Sequence, residues 1–302
     1  MSARLLALAC AGAASALDLG ATVLGAHAKL RDALRPAAEC VDESFDLGGG
    51  GIGRVVGFEA TDSDVAWCSA LVDPSSAELQ AWNGPSIEAP HLYARLGRVD
   101  DTIELEIDFR NRLDAGYNPE GEASGYPAPA SRDAFAQAGL RKEYDGAFFD
   151  ERARAWRDDV RASSAGDAAS PWADVTVEGR RQYGGDDAGT IGGPLALCVR
   201  FPGDTAGEEA AVAACDAAVE RYLSWVSEPA RSSWMRTRLI FARDTLVRQY
   251  VVRAHGAQLA TRHGDAGIEM ALAAAGRLDM MGHNMMQENA GFGSGQDDDG
   301  RD

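Results

Sequence analysis

Two runs of strictly alternating apolar and polar positions dominate the middle of the chain, within residues 85–119. His91, Tyr93 and Arg95 alternate with Leu92, Ala94 and Leu96. After Val99-Asp100-Asp101-Thr102, the residues Ile103, Leu105, Ile107 and Phe109 alternate with Glu104, Glu106 and Asp108. A period of two places the two sets on opposite faces of a strand. The link between the runs is short and polar, so the pair is expected to form an antiparallel hairpin. Polar residues on one strand face ordinarily meet water. His91, Arg95 and Asp108 are nevertheless groups that a plain structural sheet does not need.

The pattern elsewhere predicts the elements around this hairpin. Leu17, Val23 or Leu24, Leu30 and Leu34 recur at helical spacing over 17–35, and Pro36 ends that helix. Strands are expected over 54–60 and 64–72, with a turn at Asp62-Ser63 and another at Trp82-Asn83-Gly84-Pro85. Residues 54–110 thus read as four consecutive antiparallel strands. Residues 119–131 read as a loop and 131–162 as helices anchored by Phe135, Leu140, Phe148, Phe149 and Trp156. Residues 163–193 read as a long Gly/Ser/Asp-rich connection. Leu195 to Phe201 form a compact apolar run, expected as a buried strand. Glu208 to Val226 carry a helical stripe of Ala211, Ala214 or Cys215, Ala218 or Val219, and Tyr222. Residues 256–276 finish as a helix, and a disordered acidic tail is expected over 285–302.

Charge changes the picture at one place. The net charge is −18, which disfavours nucleic acid as a partner, and no apolar run reaches the ~18 residues of a membrane span. Against that background, residues 231–262 hold seven arginines (231, 236, 238, 243, 248, 253 and 262) and one acid, Asp244. The five cysteines (10, 40, 68, 198 and 215) are scattered, which points to a reducing compartment and away from a disulfide framework or zinc site. The first 16 residues fit a signal h-region, an Ala-rich helix or the end of an organellar targeting segment.

Familiar cofactor motifs do not account for the chain. Gly48-Gly49-Gly50-Gly51-Ile52-Gly53 matches G-x-G-x-x-G by letter, but a strand is expected after it where a dinucleotide-binding fold has a helix. It reads as a turn. There is no P-loop, G-x-S-x-G or H-E-x-x-H motif. His255 and His263 lie eight apart on an expected helix, with no third metal ligand near in sequence.

The order of these elements resembles the red chlorophyll catabolite reductases, members of the ferredoxin-dependent bilin reductase family. The resemblance spans roughly residues 17–276. It is carried by Val65-Ala66-Trp67-Cys68, Ala89 to Leu96, Leu105 to Arg110, Gly193 to Leu197, Tyr222 to Val226, and Arg243-Asp244 leading to Arg253-Ala254-His255-Gly256. It implies one domain over 17–284, an α/β fold built as a three-layer α/β/α sandwich with a central antiparallel sheet. A linear tetrapyrrole would lie between the sheet and the C-terminal helices. It further implies no bound cofactor, reduced ferredoxin as external electron donor, contact with other chlorophyll-breakdown enzymes, and a plastid stroma location.

The implied reaction converts red chlorophyll catabolite to the primary fluorescent catabolite. Asp244 and Asp108 are the implied proton-supplying residues. An acid in that role must stay protonated near neutral pH, which burial favours and nearby arginines oppose. Asp244 therefore requires Arg243 and Arg248 to point elsewhere, toward ligand carboxylates or a partner. Where the plant proteins carry a glutamate in the first hairpin strand, this chain has Arg95, suited to gripping a substrate carboxylate. His91 is a further substrate contact or proton source. Arg236 and Arg238 are the expected docking surface for acidic ferredoxin. The alternatives are a biliverdin-type bilin reductase, a non-catalytic tetrapyrrole carrier or chaperone, or an unrelated function on the same sheet.

Overall fold

The computed structural model describes residues 18–34, 38–60, 65–110, 112, 144, 146–169, 195–227, 240, 244, 248, 251–252 and 255–276. The expected N-terminal segment 1–16, the loop 119–131 and the tail 285–302 lie outside these residues.

Eight strands form one antiparallel sheet: β1 (Ala38–Asp46), β2 (Ile52–Glu59), β3 (Val65–Val72), β4 (Ser76–Asn83), β5 (His91–Val99), β6 (Thr102–Arg110), β7 (Gly166–Asp167) and β8 (Leu197–Pro202). The spatial order is β1-β2-β3-β4-β5-β6-β8-β7. Consecutive strands are neighbours from β1 to β6, so the sheet is largely a meander. The predicted hairpin is β5–β6, paired from His91–Arg110 to Val99–Thr102. Its two-residue turn puts Asp100 at φ 51°, a left-handed conformation that Asp tolerates better than most residues. The glycine run is the β1–β2 turn, where Gly48, Gly49 and Gly50 all take positive φ.

The meander holds two strands more than the pattern predicted. Between 52 and 110 there are five strands rather than four, because Ser76–Asn83 is a strand and Trp82 and Asn83 belong to it. β1 is the other addition, at the sheet edge.

Helices cover both faces, as a three-layer sandwich requires. On one face, α1 (Leu19–Leu34), α2 (Glu151–Ser163) and α3 (Thr205–Ser227) bury the larger core. That core includes Leu79, Leu92, Leu96, Leu105, Ile107, Phe109, Val199 and Phe201, the apolar half of each alternating strand. Tyr144, Phe148 and Phe149 fill its end, and Trp156 and Trp225 both meet Phe109 edge-on. The opposite face is covered from the C-terminus by residues 251–252 and 255–263 and by α4 (Asp265–Ala274). Val41, Val55, Trp67 and Leu71 pack there against Val251, Leu259, Met270 and Ala274. The single helix expected over 256–276 is broken at Gly264 (φ 59°), which lets α4 turn back over β1–β3.

Candidate functional site

The second face changes character across the sheet. Under α4 it is apolar, but on β4, β5 and β6 the outward positions are polar and still buried. Strand register aligns them in rows, because directly opposed residues share a face. One row is Glu78, Arg95, Glu106 and Cys198; the next is Ser69, Gln80, Tyr93 and Asp108; the third pairs His91 with Arg110. The expectation that polar strand positions meet water fails here. His91, Tyr93, Glu106, Asp108 and Arg110 are all buried, as are Glu78 and Gln80. Burying this many polar groups is costly unless they bond to one another or to something that fits among them.

At one end of this face Asp244 comes down from the C-terminal helical segment onto the hairpin. His91 Nε2 lies 3.0 Å from Asp244 Oδ1. The other ring nitrogen, Nδ1, accepts a hydrogen bond from the Asn83 backbone N–H at 3.0 Å. An acceptor at Nδ1 puts the ring hydrogen of a neutral imidazole on Nε2, facing Asp244. The second carboxylate oxygen, Oδ2, accepts from Arg112 Nε at 3.0 Å and also from Arg112 Nη2. Arg112 is fully buried, and its remaining N–H groups donate to the carbonyls of Asn83, Gly84, Ile87 and Ala89. It thus staples the β4–β5 connection to Asp244.

The electrostatics of this group differ from the expected neutral acid. Burial pushes the Asp244 pKa up, but the Arg112 charge and His91 outweigh it and hold the carboxyl at about 2. Burial lowers His91, Asp244 opposes it, Arg112 adds to it, and the imidazole titrates at about 4. At neutral pH the group is an ionised carboxylate, a neutral imidazole and a guanidinium. The arginine responsible comes from just past β6, 132 residues from Asp244. Arg248, adjacent in the arginine run, is instead buried over the Trp82 ring (5.5 Å) and donates to the Ala275 carbonyl.

A second polar group lies two rows away. Glu78 Oε2 is 2.9 Å from His255 Nε2 and accepts from the Tyr93 hydroxyl at 3.3 Å, and Glu78 Oε1 is 3.9 Å from Arg95 Nε. Burial raises the Glu78 pKa, but His255, Arg95 and Arg262 together bring it below the ordinary value. Arg95 is therefore already matched. Burial lowers its pKa, yet the Tyr93 hydroxyl, Glu78, Glu106 and Glu104 raise it overall. A substrate carboxylate arriving at Arg95 would meet those acids as well, which disfavours the expected grip. Between the two groups, Arg110 stacks on Tyr93 (4.7 Å) and Trp82 (5.4 Å), with its Nε 3.8 Å from Asp108 Oδ2.

The structure thus brings His91, Arg95, Asp108, Asp244 and Arg248 to one face of the sheet. Arg236, Arg238 and Arg243 lie outside the described residues. The two histidines considered as metal ligands part company: His255 meets Glu78, whereas His263 and Arg262 meet Asp73 in the β3–β4 turn. Among the described residues no three His, Cys, Asp or Glu side chains converge as a ligand set. Glu78, Asn83, Arg110 and Arg112 carry no expected site role from the sequence. For Glu78 a signal existed, since Glu78, Gln80 and Trp82 alternate with Ala77, Leu79 and Ala81. For Arg112 there was none.

Among solved structures, the fold recurs in phytochromobilin synthase from tomato, crystallised in complex with biliverdin, with a TM-score of 0.58 over 85% of this chain and 82% of that one. The chain shares that protein's fold. Identity between the two is 8%, so the likeness establishes architecture and leaves chemistry to the residues. No protein-family model and no curated protein sequence matches the chain.

Proposed function

We propose that the protein is a reductase of an open-chain tetrapyrrole, driven by reduced ferredoxin, with the pigment held between the polar rows of β4–β6 and the C-terminal helices. The observation that carries this reading is the buried polar face itself. A row of ionisable groups from three strands is roofed by helices on a fold that, in the tomato protein, accompanies biliverdin. The face is not sealed from solvent at these groups: the Asp244 and Arg95 side chains keep 18% and 16% of their exposure.

Reduction of one double bond consumes two electrons and two protons. Ferredoxin supplies the electrons singly, and side chains of the site supply the protons. Asp108, buried on β6 in the row of Tyr93, is the proposed donor. Asp244 and His91 orient and balance the charge of the pigment. Red chlorophyll catabolite is the proposed substrate and biliverdin the closest competitor. Arg236 and Arg238 form the proposed ferredoxin-docking patch, and a plastid stroma location is proposed along with it.

A carrier that binds a tetrapyrrole without reducing it is the second reading. It is favoured by the ionisation of Asp244, which leaves that residue no proton to give at neutral pH. Turnover separates the two: an Asp108→Asn variant of a reductase binds pigment as the wild type does but loses at least ~100-fold in rate, the usual share of general acid catalysis. Pigment binding without any ferredoxin-driven change in the wild type leaves the carrier.

A further inference from the structure

We propose that Arg112 is a positioning residue that locks the His91–Asp244 pair in a one-proton state, making the pair a fixed hydrogen-bond acceptor at the tetrapyrrole site rather than its acid. The inference rests on the reading of the site given above and adds to it the role of one residue.

Every basic position of the pair already faces a hydrogen donor. His91 Nδ1 takes the Asn83 N–H, Asp244 Oδ1 faces His91 Nε2–H, and Oδ2 takes two N–H groups of Arg112. A second proton on Nδ1 would set two donors against each other. A second proton on Oδ2 would sit against a guanidinium. Arg112 governs both ends, because the same guanidinium that holds Oδ2 also donates to the Asn83 and Gly84 carbonyls, at 3.2 and 3.0 Å. It thereby aligns the residue whose N–H meets the imidazole. Asn83 is fixed further by its side chain, which donates to the Ala89 and Pro90 carbonyls and accepts from the Tyr222 hydroxyl at 2.6 Å.

The surrounding charges act in the same direction. Arg110 from β6 faces His91, and Arg248 from the C-terminal segment faces Asp244. Asp244 is the anion among them, matched by Arg112. Its exposed edge therefore offers a carboxylate oxygen to pyrrole N–H groups, with the Asp244 charge itself matched by Arg112. A proton for reduction must then come from another group on the sheet.

The test is nitrogen NMR of histidine-labelled protein, with the His91 signal assigned through His91→Gln. The wild type is expected to show a neutral ring with its hydrogen on Nε2 from pH 8 down to pH 5. Arg112→Lys keeps the charge and is expected to keep that state. Arg112→Met removes it and is expected to raise the midpoint at which the pair takes its second proton by ~1–3 pH units. A purely structural arm would make the Lys and Met variants alike, and equal midpoints in wild type and Met variant overturn the proposal. Should the Met variant not fold, the wild type decides: a cationic ring at pH 7, or the hydrogen on Nδ1, overturns it. The readout needs no pigment, so its failure leaves tetrapyrrole binding standing, and failed pigment binding leaves the lock standing.

Discussion

His91 is a buried imidazole held neutral, and this has a consequence for stability. In the unfolded chain a histidine titrates near its ordinary value of 6.5; in the folded protein His91 does so at about 4. Between these values the unfolded chain binds a proton that the folded one refuses, so stability falls as pH falls through this window and is unaffected above it. The loss is about 3–4 kcal/mol when the ~2.5 units are converted at ~1.4 kcal/mol each. Thermal unfolding followed from pH 7 to pH 4 should show this decline, and His91→Gln, which can still accept from Asn83 and donate to Asp244, should flatten it. An equally steep decline in the variant would assign the acid lability elsewhere. At this scale the resemblance leads to the expectation that Asp244 lies near the hairpin that carries His91, Arg95 and Asp108; the pairing of Asp244 with His91 itself is not among the expectations. Nor does the sequence show their protonation. That is set by Arg112, and a partner 132 residues distant leaves no mark in a local charge count.

Among the elements, two glycine positions in helices make opposite predictions. In α4, a Cβ at Gly267 would lie 2.3 Å from the Leu259 carbonyl oxygen, where two helical segments cross after the Gly264 break. Gly267→Ala should therefore cost about 1–3 kcal/mol through overpacking. It should also loosen the roof over the polar rows. In α1, an added Cβ at exposed Gly25 meets nothing within 4 Å, so Gly25→Ala should gain up to about 1 kcal/mol from helix propensity alone. Denaturant midpoints of the two variants, moving in opposite directions, check both. The elements most legible in the sequence were those with long, clean alternation, β5 and β6, and the helices α1 and α3. β4 was missed because Ala77, Leu79 and Ala81 form a small, weakly β-favouring apolar face opposite polar residues that were themselves buried. β1 was missed because an edge strand rich in Glu and Asp lacks a plain apolar face, which is how edge strands avoid pairing with other chains. The break at Gly264 was hidden inside a continuous helical pattern, since a single glycine does not announce which way the chain turns.

For the whole molecule, a net charge of −18 repels an acidic electron donor, so productive encounter requires a local basic patch. The described arginines of the C-terminal run are engaged internally, Arg248 over Trp82 and Arg262 with Asp73. Charge reversal at Arg236 and Arg238 together is expected to slow ferredoxin-driven turnover and weaken its dependence on ionic strength, with pigment affinity unchanged. Stopped-flow kinetics across a salt series would show this, and unchanged ferredoxin kinetics in the double variant would remove the patch from the account. The most direct measurement is an absorbance titration of the protein with red chlorophyll catabolite and with biliverdin, followed by reduced ferredoxin. The account predicts saturable spectral shifts with one pigment per chain, abolished by bulky substitution at Asp108, and loss of the bound pigment's spectrum as electrons arrive. Spectra of both pigments that stay as they are in buffer would contradict it.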